Sequence, residues 1–124
     1  MIITSRTIVR FAGLLAALTL LAACQQATSS SKVAVTGITI SGNAYLTKTN
    51  SQTLTATITP SNASNTSVTW SITSNTSPYA STIDATTGVL TAGSSVGPLT
   101  VTATAQDGSG VSATFTVTVQ NPSA

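Results

Sequence analysis

The sequence predicts an all-β domain, a sandwich or barrel of about seven short strands, behind a cleaved helical signal peptide. Three observations carry this expectation. The stretch Ser67-Val68-Thr69-Trp70-Ser71-Ile72-Thr73 alternates without a break, with Val68, Trp70 and Ile72 on one side and hydroxyl residues on the other. Such alternation marks a strand with one buried and one wet face. The same pattern recurs in short runs across residues 33–119, punctuated by Gly, Pro, Asn and Asp, and nothing after Cys24 has helical periodicity. Finally, residues 1–10 carry Arg6 and Arg10 without an acid, and an almost wholly apolar run follows at 11–21.

That order of charge and apolar residues belongs to a secretory leader. The apolar run is shorter than the roughly 20 residues a membrane-crossing helix needs. It ends in Leu21-Ala22-Ala23-Cys24, which resembles the lipobox of bacterial lipoproteins. The small residues suit a narrow peptidase groove, and the thiol is the nucleophile that takes a diacylglyceryl group. The resemblance implies cleavage between Ala23 and Cys24, leader 1–23, and a palmitate-type lipid anchor on Cys24, the one cysteine in the sequence. Gln25 stands where inner-membrane lipoproteins of Gram-negative bacteria carry aspartate, which directs the protein to the outer membrane if the envelope is of that type. Residues 24–32 read as lipidated cysteine plus flexible, serine-rich tether.

The domain is expected over 33–119, with 120–124 as a tail. Val33, Val35, Ile38 and Ile40 open it, with Gly37 at a change of parity where a bulge would fit. Gly42-Asn43 reads as a turn, and Tyr45-Leu46 as a short extended piece. Residues 52–59 alternate as one strand with Leu54, Ala56 and Ile58 inward, ended by Pro60, which has no N–H for a ladder. Loops are expected at 61–66 and 74–80. Two short strands at 82–84 and 89–91 flank a turn in which Gly88 supplies φ > 0. Residues 99–105 and 111–119 alternate again around the turn 107–110.

Val35-Thr36-Gly37-Ile38-Thr39-Ile40, Leu54-Thr55-Ala56-Thr57-Ile58-Thr59-Pro60, Val68-Thr69-Trp70-Ser71, Gly88-Val89-Leu90-Thr91-Ala92 and Leu99-Thr100-Val101-Thr102-Ala103-Thr104-Ala105 with Asp107-Gly108 follow in an order that resembles the bacterial immunoglobulin-like domain of group 2, the module of intimin- and invasin-like adhesins. The resemblance spans essentially the whole domain. It implies an immunoglobulin-like β-sandwich of about seven antiparallel strands. It also implies a surface role without catalysis. Family members usually come in tandem arrays, and this chain has one copy.

Composition excludes most chemistry. The sequence has no histidine, and Asp84 and Asp107 are its two acids. No serine therefore has a His partner, and no general base works at neutral pH. The formal charge of +2 comes from the leader arginines, because Lys32 and Lys48 balance Asp84 and Asp107. A neutral domain offers phosphate no electrostatic footprint, so no nucleic-acid partner is expected. A calcium site, proposed for some related domains, needs 6–8 oxygens, often from several carboxylates. The two aspartates, each beside a turn, read more simply as Asx-turn formers, so no metal and no cofactor is expected. The glycosylation triplets at Asn62, Asn65 and Asn75 are chance matches in a Ser/Thr-rich chain.

Trp70 marks the core by parity. Tyr45 and Tyr79, not fixed by alternation, are the candidates for exposed contact with a protein or glycan at the cell surface. The reading is therefore a lipid-anchored envelope protein presenting one module for binding or adhesion. The alternative is a passive spacer without a specific ligand.

Overall fold

A computed structural model of the chain describes residues 30–75 and 81–123. The leader, the cleavage and lipidation positions Ala23 and Cys24, and Pro78-Tyr79 lie outside the described residues. Residues Lys32–Ala124 form one unit, and no helix occurs among its described residues.

The strands are β1 (Gly37–Ser41), β2 (Tyr45–Thr47), β3 (Ser51–Thr53), β4 (Thr55–Thr59), β5 (Val68–Asn75), β6 (Thr82–Ile83), β7 (Val89–Thr91), β8 (Gly97–Ala105) and β9 (Ser112–Gln120). One sheet has the order β2-β9-β8-β5. β1 pairs with β4 in a second sheet, and β3-β7-β6 make a third. β3 and β4 are one run of chain interrupted at Leu54. Joined through that run, the last two sheets follow as β1, β3/β4, β7, β6. These are the two strand sets of an immunoglobulin sandwich, A-B-E-D facing C-F-G, with β2 added beside the last strand.

The long strands explain themselves. In β8, Leu99, Val101, Ala103 and Ala105 are buried while the threonines between them are half-exposed. β9 repeats this with Val117 and Val119 buried and Phe115 half-buried. β-branched Thr suits an extended backbone while its hydroxyl stays wet. The inward residues meet Leu54, Trp70 and Leu90 in one core cluster. Val101, Val117 and Leu90 are fully enclosed. Each such side chain contributes about 1.5–3 kcal/mol by leaving water.

Four expectations are corrected. First, Val33 and Val35 do not open a strand. β1 starts at Gly37, and the Val35 N–H goes to a side chain rather than a ladder. The parity change therefore coincides with the strand's beginning, and no bulge is needed there. Second, 52–59 is two strands. The Leu54 N–H donates to the Gly88 carbonyl at 3.0 Å, and on either side the run pairs with different partners, β7 before it and β1 after it. Third, β5 runs on to Asn75 instead of yielding to a loop at Ser74, carrying a register irregularity between Ile72 and Ser74. Thr73 lies in that irregularity, its hydroxyl 3.0 Å from the Thr102 hydroxyl. Fourth, β2 pairs in parallel with β9, Tyr45 opposite Thr118.

Candidate functional site

The sandwich has two ends, and the candidate residues divide between them. At one end the β8–β9 turn, the β4–β5 loop and the segment entering β1 come together. Tyr45 sits toward the other end. Along β9, Thr118, its partner, is six residues from Ser112, so about 20 Å separates Tyr45 from the β8–β9 turn.

The first end is organised by Asp107. Its carboxylate oxygens take different partners: Oδ2 accepts from the Val35 N–H at 2.7 Å, and Oδ1 from the Ser109 N–H at 3.0 Å. Its backbone carbonyl accepts from the Lys32 ammonium at 2.7 Å. The Ser109 hydroxyl, then the Val35 and Ser109 N–H groups, hold its carboxyl down at about 2, against an ordinary 3.8. The expected Asx turn is present, but Asp107 does more than form it. It ties together residues 72 apart in sequence.

The neighbouring loop completes the tie. Val33 exchanges two hydrogen bonds with Ser64, donating to its hydroxyl and accepting from its N–H, both at 2.9 Å. Asn65 is engaged at both ends of its amide, donating to the Gln106 carbonyl and accepting from the Ser67 N–H. Thus the expected loop at 61–66 and the turn at 107–110 are brought together, bonded to one another's segments and to the entering chain. The sequence did not reveal this, because no local pattern links Val35 to Asp107.

At the second end Tyr45 is 64 % exposed, the most exposed large apolar side chain among the described residues. Two residues before it in sequence, Asn43 is tied to Gln52. The Asn43 N–H donates to Gln52 Oε1 and the Gln52 amide donates back to the Asn43 carbonyl, at 3.0 and 2.9 Å. Val96, also exposed, lies just before β8 on this end, where Gly97 pairs with Val119. Lys48 follows β2, its N–H on the Gln120 carbonyl.

Trp70 is 4 % exposed and belongs to the core. The turn before β7 covers it. The Trp70 N–H donates to the Ala85 carbonyl at 2.9 Å, and Gly88, at φ 70°, backs directly onto the indole. Asp84 builds that turn, accepting from the Thr86 and Thr87 N–H groups at 2.9 and 2.8 Å. The Thr87 N–H foremost, then that of Thr86, pulls its carboxyl below the ordinary range.

Among the described residues no three His, Cys, Asp or Glu side chains gather where a metal could be held. Nor does any buried side-chain nitrogen or oxygen there lack a hydrogen-bond partner. What the surface offers is hydroxyl-rich sheet faces, one satisfied polar end, and one end with an exposed aromatic ring.

Comparison with known proteins agrees with this anatomy. No curated protein matches the chain. The family profile of the bacterial Ig-like domain (group 2) matches residues 34–117, which takes in all nine strands except the last three residues of β9. With the sandwich topology and the alternating Thr-rich strands already in place, the conclusion is that the chain belongs to the bacterial Ig-like domain (group 2) family, a family of non-enzymatic modules found on bacterial surface and envelope proteins.

Proposed function

We propose that the chain is a lipid-anchored cell-envelope protein that presents a single immunoglobulin-like module for binding or adhesion, without turnover. The observation that carries this is an order of parts: a charged n-region, an apolar run, Leu21-Ala22-Ala23-Cys24, a short polar tether, then a surface-type module from residue 34. The lipobox supplies the anchor, and the module at the far end of that order supplies the contact. One acyl chain binds a membrane only marginally, so Cys24 carries at least two. Gln25 favours the outer membrane in a Gram-negative envelope.

Partner contact falls to exposed aromatic side chains. Interface energy concentrates in a few Trp, Tyr and Arg residues. Past the leader this chain has no Arg, and its Trp is buried. Exposed Tyr45 remains, with Tyr79 as the second candidate from the sequence, and the contact they support is weak, with a protein or glycan at the cell surface.

The experiment has two arms. Mass spectrometry of the membrane-extracted protein is expected to show a mature chain starting at lipid-modified Cys24, and Cys24→Ala to release it from the membrane. An intact Met1 terminus or an unmodified Cys24 thiol overturns the anchor. In the second arm, wild type and Tyr45→Ala/Tyr79→Ala are compared for attachment to matrix proteins, envelope glycans and cells. Loss of attachment in the folded double variant supports the binding role. Attachment by neither protein makes the module a spacer.

A further inference from the structure

The residues ahead of β1 are fastened to the sandwich without joining a sheet. The Lys32 ammonium donates to the Asp107 carbonyl at 2.7 Å, Val33 exchanges two hydrogen bonds with Ser64, and the Val35 N–H donates to Asp107 Oδ2. Only at Thr36, whose N–H meets the Thr59 carbonyl at 2.8 Å, does the chain take up the line of β1, which pairs with β4 from Gly37 opposite Thr59. The Val35 side chain is 2 % exposed, yet among the described residues it stands apart from the core cluster around Trp70, Val101 and Val117. The groups that receive this segment are held by bonds of their own. The Ala105 N–H donates to the Val111 carbonyl and the Ser109 N–H to Asp107 Oδ1, closing the β8–β9 turn. The Asn65 amide donates to the Gln106 carbonyl, fastening the loop at 61–66 to that turn.

We infer that Lys32–Val35 is a strap that opens and closes as its own unit on an intact sandwich, with Asp107 as its latch, and that opening bares a cleavable bond, Lys32–Val33. Lifting the strap breaks the four hydrogen bonds just named and uncovers one valine. No strand loses a ladder partner, and the core cluster is untouched. Segments with few buried apolar contacts open with less free energy than the whole domain. Asp107 keeps its bond from Ser109 when Val35 leaves, and water meets the freed Oδ2, so the open state carries no orphaned buried charge. In the closed state the Lys32 side chain is spent on Asp107 and the residues after it are pinned. A protease that needs the lysine in its pocket and an extended chain beyond it must therefore wait for opening. A cut there separates the module from everything that precedes residue 33.

The test is native-state hydrogen exchange on the full chain in low urea, read at the Val35 amide against Val101 and Ala103 of β8, a strand paired on both sides. In wild type the Val35 amide is expected to be protected at least tenfold less than Val101 and Ala103. Its exchange should be nearly independent of urea, because strap opening exposes little surface. Asp107→Ala is expected to speed Val35 exchange at least tenfold further. Asp107→Asn, which keeps an oxygen acceptor without the charge, should fall between. Trypsin is expected to cut after Lys32 while sparing Lys48, the other lysine of the sequence. The cut should come at least ten times faster in Asp107→Ala, since cleavage follows the population of the open form. Native Trp70 emission in the cut product shows that the sandwich has stayed folded. If Asp107→Ala does not fold, Ser64→Ala, which removes the hydroxyl acceptor of Val33, takes its place and is expected to be cut several-fold faster than wild type. A Val35 amide as protected as Val101 and Ala103, with the same urea dependence, makes the segment part of the sandwich and overturns the inference. So does Val35 exchange, or cutting after Lys32, left unchanged in the folded variant. A cut after Lys32 that appears only together with loss of native Trp70 emission overturns it as well.

Discussion

Gly88→Ala tests the packing of the core at its tightest point. Gly88 adopts φ 70°, in the left-handed region. A Cβ there would lie 2.8 Å from both Cε2 and Nε1 of Trp70 and 2.9 Å from the Leu54 carbonyl oxygen. Two of these neighbours are ring atoms of a buried indole and the third is backbone, so none can swing aside. The left-handed conformation costs an L-residue roughly 1–2 kcal/mol. Forcing a methyl into a filled core adds about 1–3 kcal/mol. Alanine's smaller unfolded-state entropy returns about 0.4–1 kcal/mol. The net expectation is a loss of about 2–4 kcal/mol, a large share of the 5–15 kcal/mol typical of a domain. Gly42 is the control. A Cβ there also meets Leu54, but at the terminal Cδ2 of a flexible side chain, with no left-handed φ. Gly42→Ala should cost about 1 kcal/mol, the low end of the overpacking range, because only a side-chain terminus has to move.

The assay is urea unfolding followed through Trp70, the one tryptophan in the sequence. Its emission reports the strained site directly, so stability and local geometry are read together. Gly88→Ala should unfold at clearly lower urea and shift the native emission, while Gly42→Ala does neither. A Gly88→Ala protein as stable as Gly42→Ala, with native emission intact, would refute the claim that the turn before β7 is wedged against the indole.

Three further outcomes are expected. Trp70→Ala should cost about 3–5 kcal/mol in a urea titration followed by far-UV circular dichroism, since the variant has no tryptophan to report, and the wild-type emission should be blue-shifted, as the ring is buried; a red-shifted native spectrum contradicts this. Stability should depend on pH only in acid. Folding lowers the carboxyl of Asp84 and takes that of Asp107 to about 2, so the unfolded chain binds protons first and the stabilisation is lost as pH falls from about 4 to 2. With no histidine, thermal midpoints measured from about pH 5 to 8 should coincide, and a drop within that window would point to another titrating group. Thr49 holds φ 65°, which a β-branched residue tolerates poorly. Thr49→Asn should therefore raise stability by about 1 kcal/mol, or roughly 4–8 °C in a calorimetric Tm; no gain would mean that the Thr49 hydroxyl bond to the Lys48 carbonyl compensates the strain.

What could be read in advance was whatever is local. Alternation identified β5, β8 and β9 because each buries one face over many residues, and Gly88 announced its turn. Alternation is blind to partners. It continues unbroken through Leu54, where the chain changes neighbours, since a strand that passes from β7 to β1 keeps the same inward parity. It cannot give direction either, so the parallel pairing of Tyr45 with Thr118 had no signature. Asp107 showed its turn but not its hold on Val35, because that bond spans 72 residues and depends on three segments arriving together. Its second role is thus tertiary, as is the approach of Gly88 to Trp70.

The arrangement around Trp70 also explains how the fold dispenses with a disulfide. Antibody domains place a buried Trp on the third strand against a bridge joining the two sheets. Here the Trp occupies the corresponding strand, β5, and the sequence has no second cysteine to form a bridge. Small residues receive the ring instead. Ala103 is its direct partner on β8, and Gly88 comes from the facing sheet's side, with Leu54 beside it. A large side chain seated among small ones gives both sheets contact with one rigid group. The same economy limits what the surface can do. With the aromatic volume spent inside and the strand faces clothed in threonine, the sheets present few groups able to anchor a partner. The aromatic ring left exposed, Tyr45, lies toward one end, and at the other Asp107 and Ser64 already accept from the entering chain.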